Sequence, residues 1–514
     1  MRWRRFVQVL VLAAFVFLFL KTEYTDTDQL PYAVNIFLRL DPLVAAASVI
    51  AGRALISLVW PSLVTVALTL LLGRFFCGWF CPLGTVLDGV DRAVYRRGRR
   101  ERGIPQSLRA VKYLVLAFVL GSALMTIQWA FLFDPISILI RSLSVAGYPA
   151  VNSAVNATFG ALYETGWKPV TAISEPVYAF LREHFLAFEQ PYFRLATLTG
   201  AIFLAILALE WLGRRFWCRY LCPLGAMFGL LGRLGLFRRR VTEPDCIGCG
   251  VCRNRCRMAA ISGDYLGTDE RECIKCRECA AVCPREAVRF SGKALPRGED
   301  VVEVSRRSLV RALGAGIVLP PLILSDARQK EPHPGLIRPP GALPEGDFLA
   351  RCTRCGECMR VCLANGLHPT LLEGGLPALF SPILVSRLGY CEYNCTLCGQ
   401  VCPTGAIRHL PPDRKKKVRL GLAEVDRSHC LPWKGESPCI VCEEHCPTGD
   451  KAIKLRLERV VGRDGVAREL QVPYIDETLC IGCGICENKC PLSDRSAIVV
   501  TSRGESRRDE SAVS

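Results

Sequence analysis

A chain of 514 residues, half of them hydrophobic, is too long for one ordinary domain and points to about three. Its formal net charge of +17 would suit a nucleic-acid partner, but the arginines cluster beside apolar runs, so membrane lipid is expected and nucleic acid is not. The 28 cysteines fall into two C-x3-C-P pairs and six runs of four, a regularity that disulfides do not need and metal ligands do.

Taken in order, residues 6–20 are apolar and follow Arg2, Arg4 and Arg5. A signal peptide would start this way, but KTEYTDTDQ offers no small-residue cleavage site, so an uncleaved anchor is expected. Residues 54–72 (interrupted by Pro61), 113–133 and 195–212 are three further candidate spans. The segment 73–112 carries nine basic residues against three acidic, including Arg96, Arg97, Arg99 and Arg100, and the segment after 212 is also basic. The positive-inside rule then places the N-terminus and both basic segments in the cytoplasm. The spans hold no histidine and the chain no C-x-x-C-H, so haem is not expected. Nor is a nucleotide, since no G-x-G-x-x-G or P-loop occurs.

Two spans end alike, GRFFCGWFCPLG with Cys77 and Cys81, and GRRFWCRYLCPLG with Cys218 and Cys222. Cysteines at i and i+4 share a helical face, and the proline then ends the helix. Two such faces meeting across a pseudo-twofold axis would bring four thiolates to one further cluster; a reactive dithiol and a buried apolar thiol are the alternatives.

The stretch 246–284 carries two runs with C-x2-C-x2-C-x3-C spacing. Each run supplies three corners of a cubane, and in two-cluster ferredoxins the fourth cysteine ligates the other run's cluster. One [4Fe–4S] is therefore expected on Cys246, Cys249, Cys252 and Cys283, and another on Cys273, Cys276, Cys279 and Cys256. Structural zinc normally separates its two C-x2-C pairs by a longer finger.

Next, SRRSLVRALGAGIVLPPLILSDA at 305–327 reads either as an internal twin-arginine-like export signal or as a fifth, minimal span. Both readings place the chain beyond about residue 325 outside the cytoplasm. A Pro- and Gly-rich stretch reads as an extended linker. Four more runs complete the chain: Cys352, Cys355, Cys358, Cys362; Cys391, Cys395, Cys398, Cys402; Cys430, Cys439, Cys442, Cys446; and Cys480, Cys483, Cys486, Cys490. The outer two keep the standard spacing, while the inner two open with three and eight intervening residues. Metal binding would supply much of this domain's folding free energy.

With these motifs in place, the first 290 residues or so resemble the NapH-type membrane ferredoxin subunit of quinol dehydrogenases, with its spans, C-x3-C-P pairs and two-cluster ferredoxin. Residues from 305 onward resemble the exported NapG or MauM type, RPPGALPEGDFLARCTRCGECMRVC carrying much of the similarity. The chain departs by fusing the two, and by lacking proline after Cys256 and Cys362. The resemblance implies exchange of the fourth ligand between outer runs and between inner runs. That pairs Cys352, Cys355 and Cys358 with Cys490, and Cys480, Cys483 and Cys486 with Cys362. It also pairs Cys391, Cys395 and Cys398 with Cys446, and Cys430, Cys439 and Cys442 with Cys402.

The expectation is a multidomain protein: an N-terminal α-helical membrane domain plus two α+β ferredoxin-like iron–sulfur modules. The membrane domain covers 1–240, a cytoplasmic two-cluster ferredoxin 241–300, the twin-arginine-like segment and linker 301–345, an exported four-cluster ferredoxin 346–500 and a disordered tail 501–514. In the inner membrane of a bacterium it would pass electrons from quinol, through six [4Fe–4S] clusters or one more at the C-x3-C-P pairs, to a periplasmic redox partner. That partner would be a cytochrome or molybdenum reductase system, such as nitrate reductase. Glu210 and Asp134 are the ionisable candidates for the quinol site, although carboxylates at span ends are commonplace. The rival readings are a maturation factor that supplies reducing equivalents to a metalloenzyme, and a conduit driven by a cytoplasmic donor.

Overall fold

The structure is a computed structural model and describes residues 2–24, 29–30, 34–95, 104–187, 189–292, 305–328 and 333–508. The basic run Arg96, Arg97, Arg99 and Arg100 lies outside the described residues, as do parts of the linker and tail at 293–304, 329–332 and 509–514. The chain forms two compact units. The first comprises Met1–Lys21, Tyr32–Ser142 and Thr197–Leu322, and the second Thr22–Pro31, Leu143–Ala196 and Ile323–Ser514.

In the first unit, two helices are long and apolar enough to cross a membrane, Trp3–Lys21 and Gln106–Leu124. The spans expected at 54–72 and 195–212 are shorter apolar helices, Ser57–Leu72 and Ala196–Trp211. Pro61 opens the α-helix Pro61–Leu72 instead of interrupting it, because a proline in the first turn gives up no hydrogen bond. The span expected at 113–133 stops at Leu124, where Thr126 takes a left-handed φ of 64°, and resumes as the short helix Ala130–Phe133. Helix Arg306–Arg328 crosses Val111–Leu124 at close range. A Cβ at Gly121 would lie 2.7 Å from the Leu313 carbonyl oxygen, and one at Gly316 would overlap the Phe118 carbonyl oxygen. Glycine at both positions lets the two backbones meet, as small residues do between apolar helices.

The module carrying the first two cysteine runs belongs to this unit. Strands Arg238–Val241 and Val288–Ser291 pair antiparallel, with Arg238 opposite Ser291, and the short helices Val251–Arg255 and Glu278–Ala281 complete an α+β fold. Its second cysteine run lies on the C-x3-C-P segments. Trp79 Nε1 donates to the Lys275 carbonyl at 3.1 Å, and any side chain at Gly78 would overlap the Ile274 carbonyl. A buried ion network ties the same elements together. Asp88 accepts from Arg4 (2.7 Å), Arg215 (2.7 Å) and Arg257 (3.0 Å), while Arg257 also reaches Asp91 and Glu278.

The second unit is built around its cysteines, with three small antiparallel sheets. Strand Leu367–Pro369 pairs with Pro382–Leu384, Leu422–Val425 with Ile498–Thr501, and Ile453–Val461 with Ala467–Ile475 as a long hairpin. Residues 143–196, which hydropathy groups with the membrane domain, form part of this unit. Val145 and Phe193 are buried in the same core as Phe348, Leu397 and Val401. Asn365 Nδ2 donates to the Tyr192 carbonyl at 2.7 Å, and the Arg360 guanidinium sits 4.3 Å from the Tyr148 ring centre.

Among the described residues, parts of two stretches expected to be loose are packed and hydrogen-bonded. The end of the Pro-rich linker is buried from Leu336 to Leu343, with Leu343 N donating to the Ala406 carbonyl and Arg338 donating to Pro382 O and Ser381 Oγ. In the tail, Ser502 N donates to Pro334 O at 2.7 Å, and Arg507 pairs with Glu345 and Glu505, both at 2.6 Å. Apolar Leu336 and Ile337 and these backbone partners outweigh the extended preference of the prolines.

Candidate iron–sulfur sites

All 28 cysteines are described and none forms a disulfide. Four of the six runs share a backbone device. The residue before the second cysteine and the residue after it both have positive φ: Gly248 and Gly250, Lys275 and Arg277, Arg354 and Gly356, Gly482 and Gly484. Two left-handed residues around one cysteine curl the loop so that three thiols face a common centre. The strain of non-glycine residues there, Lys275, Arg277 and Arg354, is of the kind a bound group offsets. The inner runs lack this device: Thr396 and Ile440, which follow Cys395 and Cys439, have φ of −125° and −124°. Their longer openings reach the same end by other means.

In the first unit, Cys246, Cys249, Cys252 and Cys283 line one cavity. Cys273, Cys276, Cys279 and Cys256 form a second group within electrostatic reach of one another. Glu272, at the edge of this group, resists burial through Lys112 and Arg74, which bring its carboxyl down to about 2.

In the second unit the grouping differs from the one implied by resemblance. Cys430, Cys439 and Cys442 line a cavity with Cys490, not Cys402. Cys480, Cys483 and Cys486 line another with Cys446, not Cys362. Cys391, Cys395 and Cys398 surround a third with Cys362, not Cys446. Cys352 and Cys358 interact with Cys402, not Cys490. The fourth thiol of each group therefore comes from the neighbouring run, first with second and third with fourth. The reason is local: the loops after Cys362 and Cys402 fold back at once, so that Gly366 N and Ile407 N donate to their sulfurs at 3.2 and 3.4 Å. Ala260 N on Cys256 (3.3 Å) and Ala497 N on Cys490 (3.4 Å) repeat the arrangement.

The groups in this unit form a series. Cys358 of the first interacts with Cys398 of the second. Cys391 of the second donates its N–H at 2.9 Å to the carbonyl of Cys483, in the group that Cys446 completes. Cys486 of that same group interacts with Cys442, in the group that Cys490 completes. Burial pushes the thiols up, Cys352 to about 11 and Cys483 and Cys442 to about 12. Empty, such thiols stay protonated, whereas a ligated metal takes them as thiolates. Buried sulfurs supplied with N–H donors and grouped in fours fit [4Fe–4S] clusters, whose potentials respond to those hydrogen bonds and to burial. Among the described residues, no group of three or more His, Cys, Asp or Glu side chains is arranged to hold a single metal ion.

Cys77, Cys81, Cys218 and Cys222 are also brought together, each no more than 8% exposed. Neither pair occupies one continuous helix. Cys77 lies in the short helix Phe76–Trp79 and Cys218 in the π-helical turn Trp217–Leu221, while Cys81 and Cys222 precede the helices Pro82–Tyr95 and Pro223–Gly232. Gly84 N and Gly225 N donate to the sulfurs of Cys81 and Cys222 at 3.4 and 3.3 Å. The two carboxylates expected at span ends, Glu210 and Asp134, are both fully buried within the protein. Glu210 accepts from Arg215 N at 2.7 Å, and Asp134 accepts from Ser137 N at 2.6 Å at the start of helix Pro135–Ser142. Sequence reasoning missed the arginines Arg74 and Arg215, although each stands three residues before a C-x3-C-P motif.

A family model described as a 4Fe-4S binding domain matches residues 54–105, 195–242 and 398–421, and a second of the same description matches 473–492. The methylamine utilization ferredoxin-type protein MauM of Methylorubrum extorquens is 38% identical over 208 residues, 38% of this chain and 89% of that protein. The ferredoxin-type protein NapG of Escherichia coli is 37% identical over 193 residues, 36% of this chain and 79% of that protein. MauM of Paracoccus denitrificans is 34% identical over 212 residues, 40% of this chain and 87% of that protein. No solved structure matches. Cysteine runs, buried sulfur groups and relatives agree: the chain belongs to the MauM and NapG family of ferredoxin-type proteins, and it is an iron–sulfur electron-transfer protein with [4Fe–4S] sites.

Proposed function

We propose that this protein is a multi-pass membrane electron carrier that oxidises quinol and passes the electrons through six [4Fe–4S] clusters to a reductase system outside the cytoplasm. The observation that carries this reading is the serial arrangement of sulfur groups in the second unit, which gives single electrons a path from group to group. Quinol oxidation releases two electrons and two protons, and the clusters accept the electrons one at a time. The membrane placement is supported by helices Trp3–Lys21 and Gln106–Leu124 and by the shorter apolar helices around them. The glycine-mediated crossing of helix Arg306–Arg328 with Val111–Leu124 favours a retained fifth span over a detachable leader. The N-terminal half follows the NapH-type pattern, with the two-cluster module on the cytoplasmic side and the second unit on the periplasmic side.

The test is anaerobic addition of a reduced menaquinol analogue to the purified full chain in detergent, with cluster reduction followed by EPR. Reduced-cluster signals growing at the rate of quinol oxidation are expected. Clusters that stay oxidised with quinol, yet respond to a low-potential ferredoxin, would replace this reading with a conduit from a cytoplasmic donor.

A further inference from the structure

We propose that Cys77, Cys81, Cys218 and Cys222 together hold one more [4Fe–4S] cluster, set directly beside the Cys273, Cys276, Cys279 and Cys256 site. The inference goes beyond the quinol reading, and its test counts iron and does not follow quinol.

Three observations carry it. Four thiols from two distant repeats meet in one buried place without forming a disulfide. A redox dithiol would need only one pair, and would need a partner to reach it. Second, the repeats are clamped reciprocally. Arg74, three residues before Cys77, reaches across to the Cys218 carbonyl at 3.2 Å, and its Nε donates to Cys77 Sγ at 3.5 Å. Arg215, three residues before Cys218, reaches back to the carbonyls of Cys77 (2.8 Å) and Gly84 (2.9 Å). Neither guanidinium is exposed, and Glu272 and Asp88 hold them in place. The glycine of the second PLG is required by this clamp, since a Cβ at Gly225 would overlap Arg74 Nη2. One at Gly84 would crowd the Cys77 carbonyl oxygen at 3.1 Å and meet Arg215 Nη2 at an ordinary contact distance of 3.4 Å. Guanidinium and N–H donors aimed at sulfur favour ligating thiolates over neutral thiols.

The third observation is location. Gly78, next to Cys77, touches the backbone of Ile274, next to Cys273, and the Trp79 side chain bonds to Lys275, next to Cys276. A cluster here would exchange one electron at a time with its neighbour, one oxidised as the other is reduced, with no bond made or broken. A structural zinc would gain nothing from that contact.

The experiment is native mass spectrometry of the full chain purified anaerobically, combined with iron and acid-labile sulfide analysis. The wild type is expected to carry one cluster more than its six ferredoxin runs account for. The double variant Cys81→Ser/Cys222→Ser should lose about four irons and four sulfides while keeping the EPR signals of the other clusters. A wild-type mass accounting for six clusters and no more overturns the proposal, as does stoichiometric zinc in place of the extra iron. The wild-type mass decides the question even if the double variant fails to fold.

Discussion

Asp88 is the place where the first unit is most exposed to a single change. Its carboxylate is 1% exposed and takes Arg4, Arg215 and Arg257 at 2.7–3.0 Å, with Gln8 Nε2 at 2.9 Å. In Asp88→Asn the shape survives but the charge does not. Arg4 and Arg257 keep Glu278, and Arg257 also keeps Asp91, but Arg215 is left with backbone carbonyls alone. A buried charge stripped of its partner costs about 3–5 kcal/mol. For a unit of this size that corresponds to a fall of roughly 10 °C in apparent Tm, read from cluster absorbance in detergent. The exposed pair Arg503–Glu477, with both side chains 59% exposed, is the control, and Arg503→Met should cost about 0–1 kcal/mol. Adding Arg215→Met to Asp88→Asn should recover part of the loss, because the stranded charge is then gone. If Asp88→Asn costs no more than the control, the claim that this carboxylate holds the guanidiniums is refuted. The same site predicts a pH dependence. Burial opposes ionisation of Asp88, but Arg215, Arg257 and Arg4 outweigh it and hold the carboxyl well below the ordinary range. Its stabilisation is therefore complete above the unfolded-state value of about 3.9 and is lost as pH falls toward the folded value.

Two further outcomes rest on the geometry. Cys490→Ser should alter the EPR signal of the same cluster as Cys439→Ser, and Cys402→Ser that of the same cluster as Cys352→Ser; matching of Cys490→Ser with Cys352→Ser would restore the outer-run exchange. Gly316→Leu should force helix Arg306–Arg328 away from Phe118 at a cost of about 1–3 kcal/mol and speed hydrogen exchange in that helix. Unchanged exchange in the variant would show that the two helices do not cross there.

The six cysteine runs were legible in the sequence because their spacing is itself a local geometry. A two-residue gap with left-handed positions at Gly248 and Gly250, or at Gly482 and Gly484, fixes three thiols by backbone alone. The repeat GRFFCGWFCPLG and GRRFWCRYLCPLG likewise declared a paired site, and Pro82 and Pro223 declared the helices that begin there. Only tertiary structure decided which fourth thiol completes each group, because Cys402 and Cys490 each have several three-cysteine runs within sequence reach. Packing of the loops after them makes the choice. Residues 143–196 went to the second unit for the same reason: hydropathy reports what avoids water, whereas Val145, Tyr148 and Phe193 needed specific partners that lie some two hundred residues further along the chain. The Asp88 network was equally invisible, since Arg4, Arg215 and Arg257 look like ordinary basic residues until folding brings them onto one carboxylate. Spacing determines the ligands that lie close along the chain, and packing alone selects those that must come from far away.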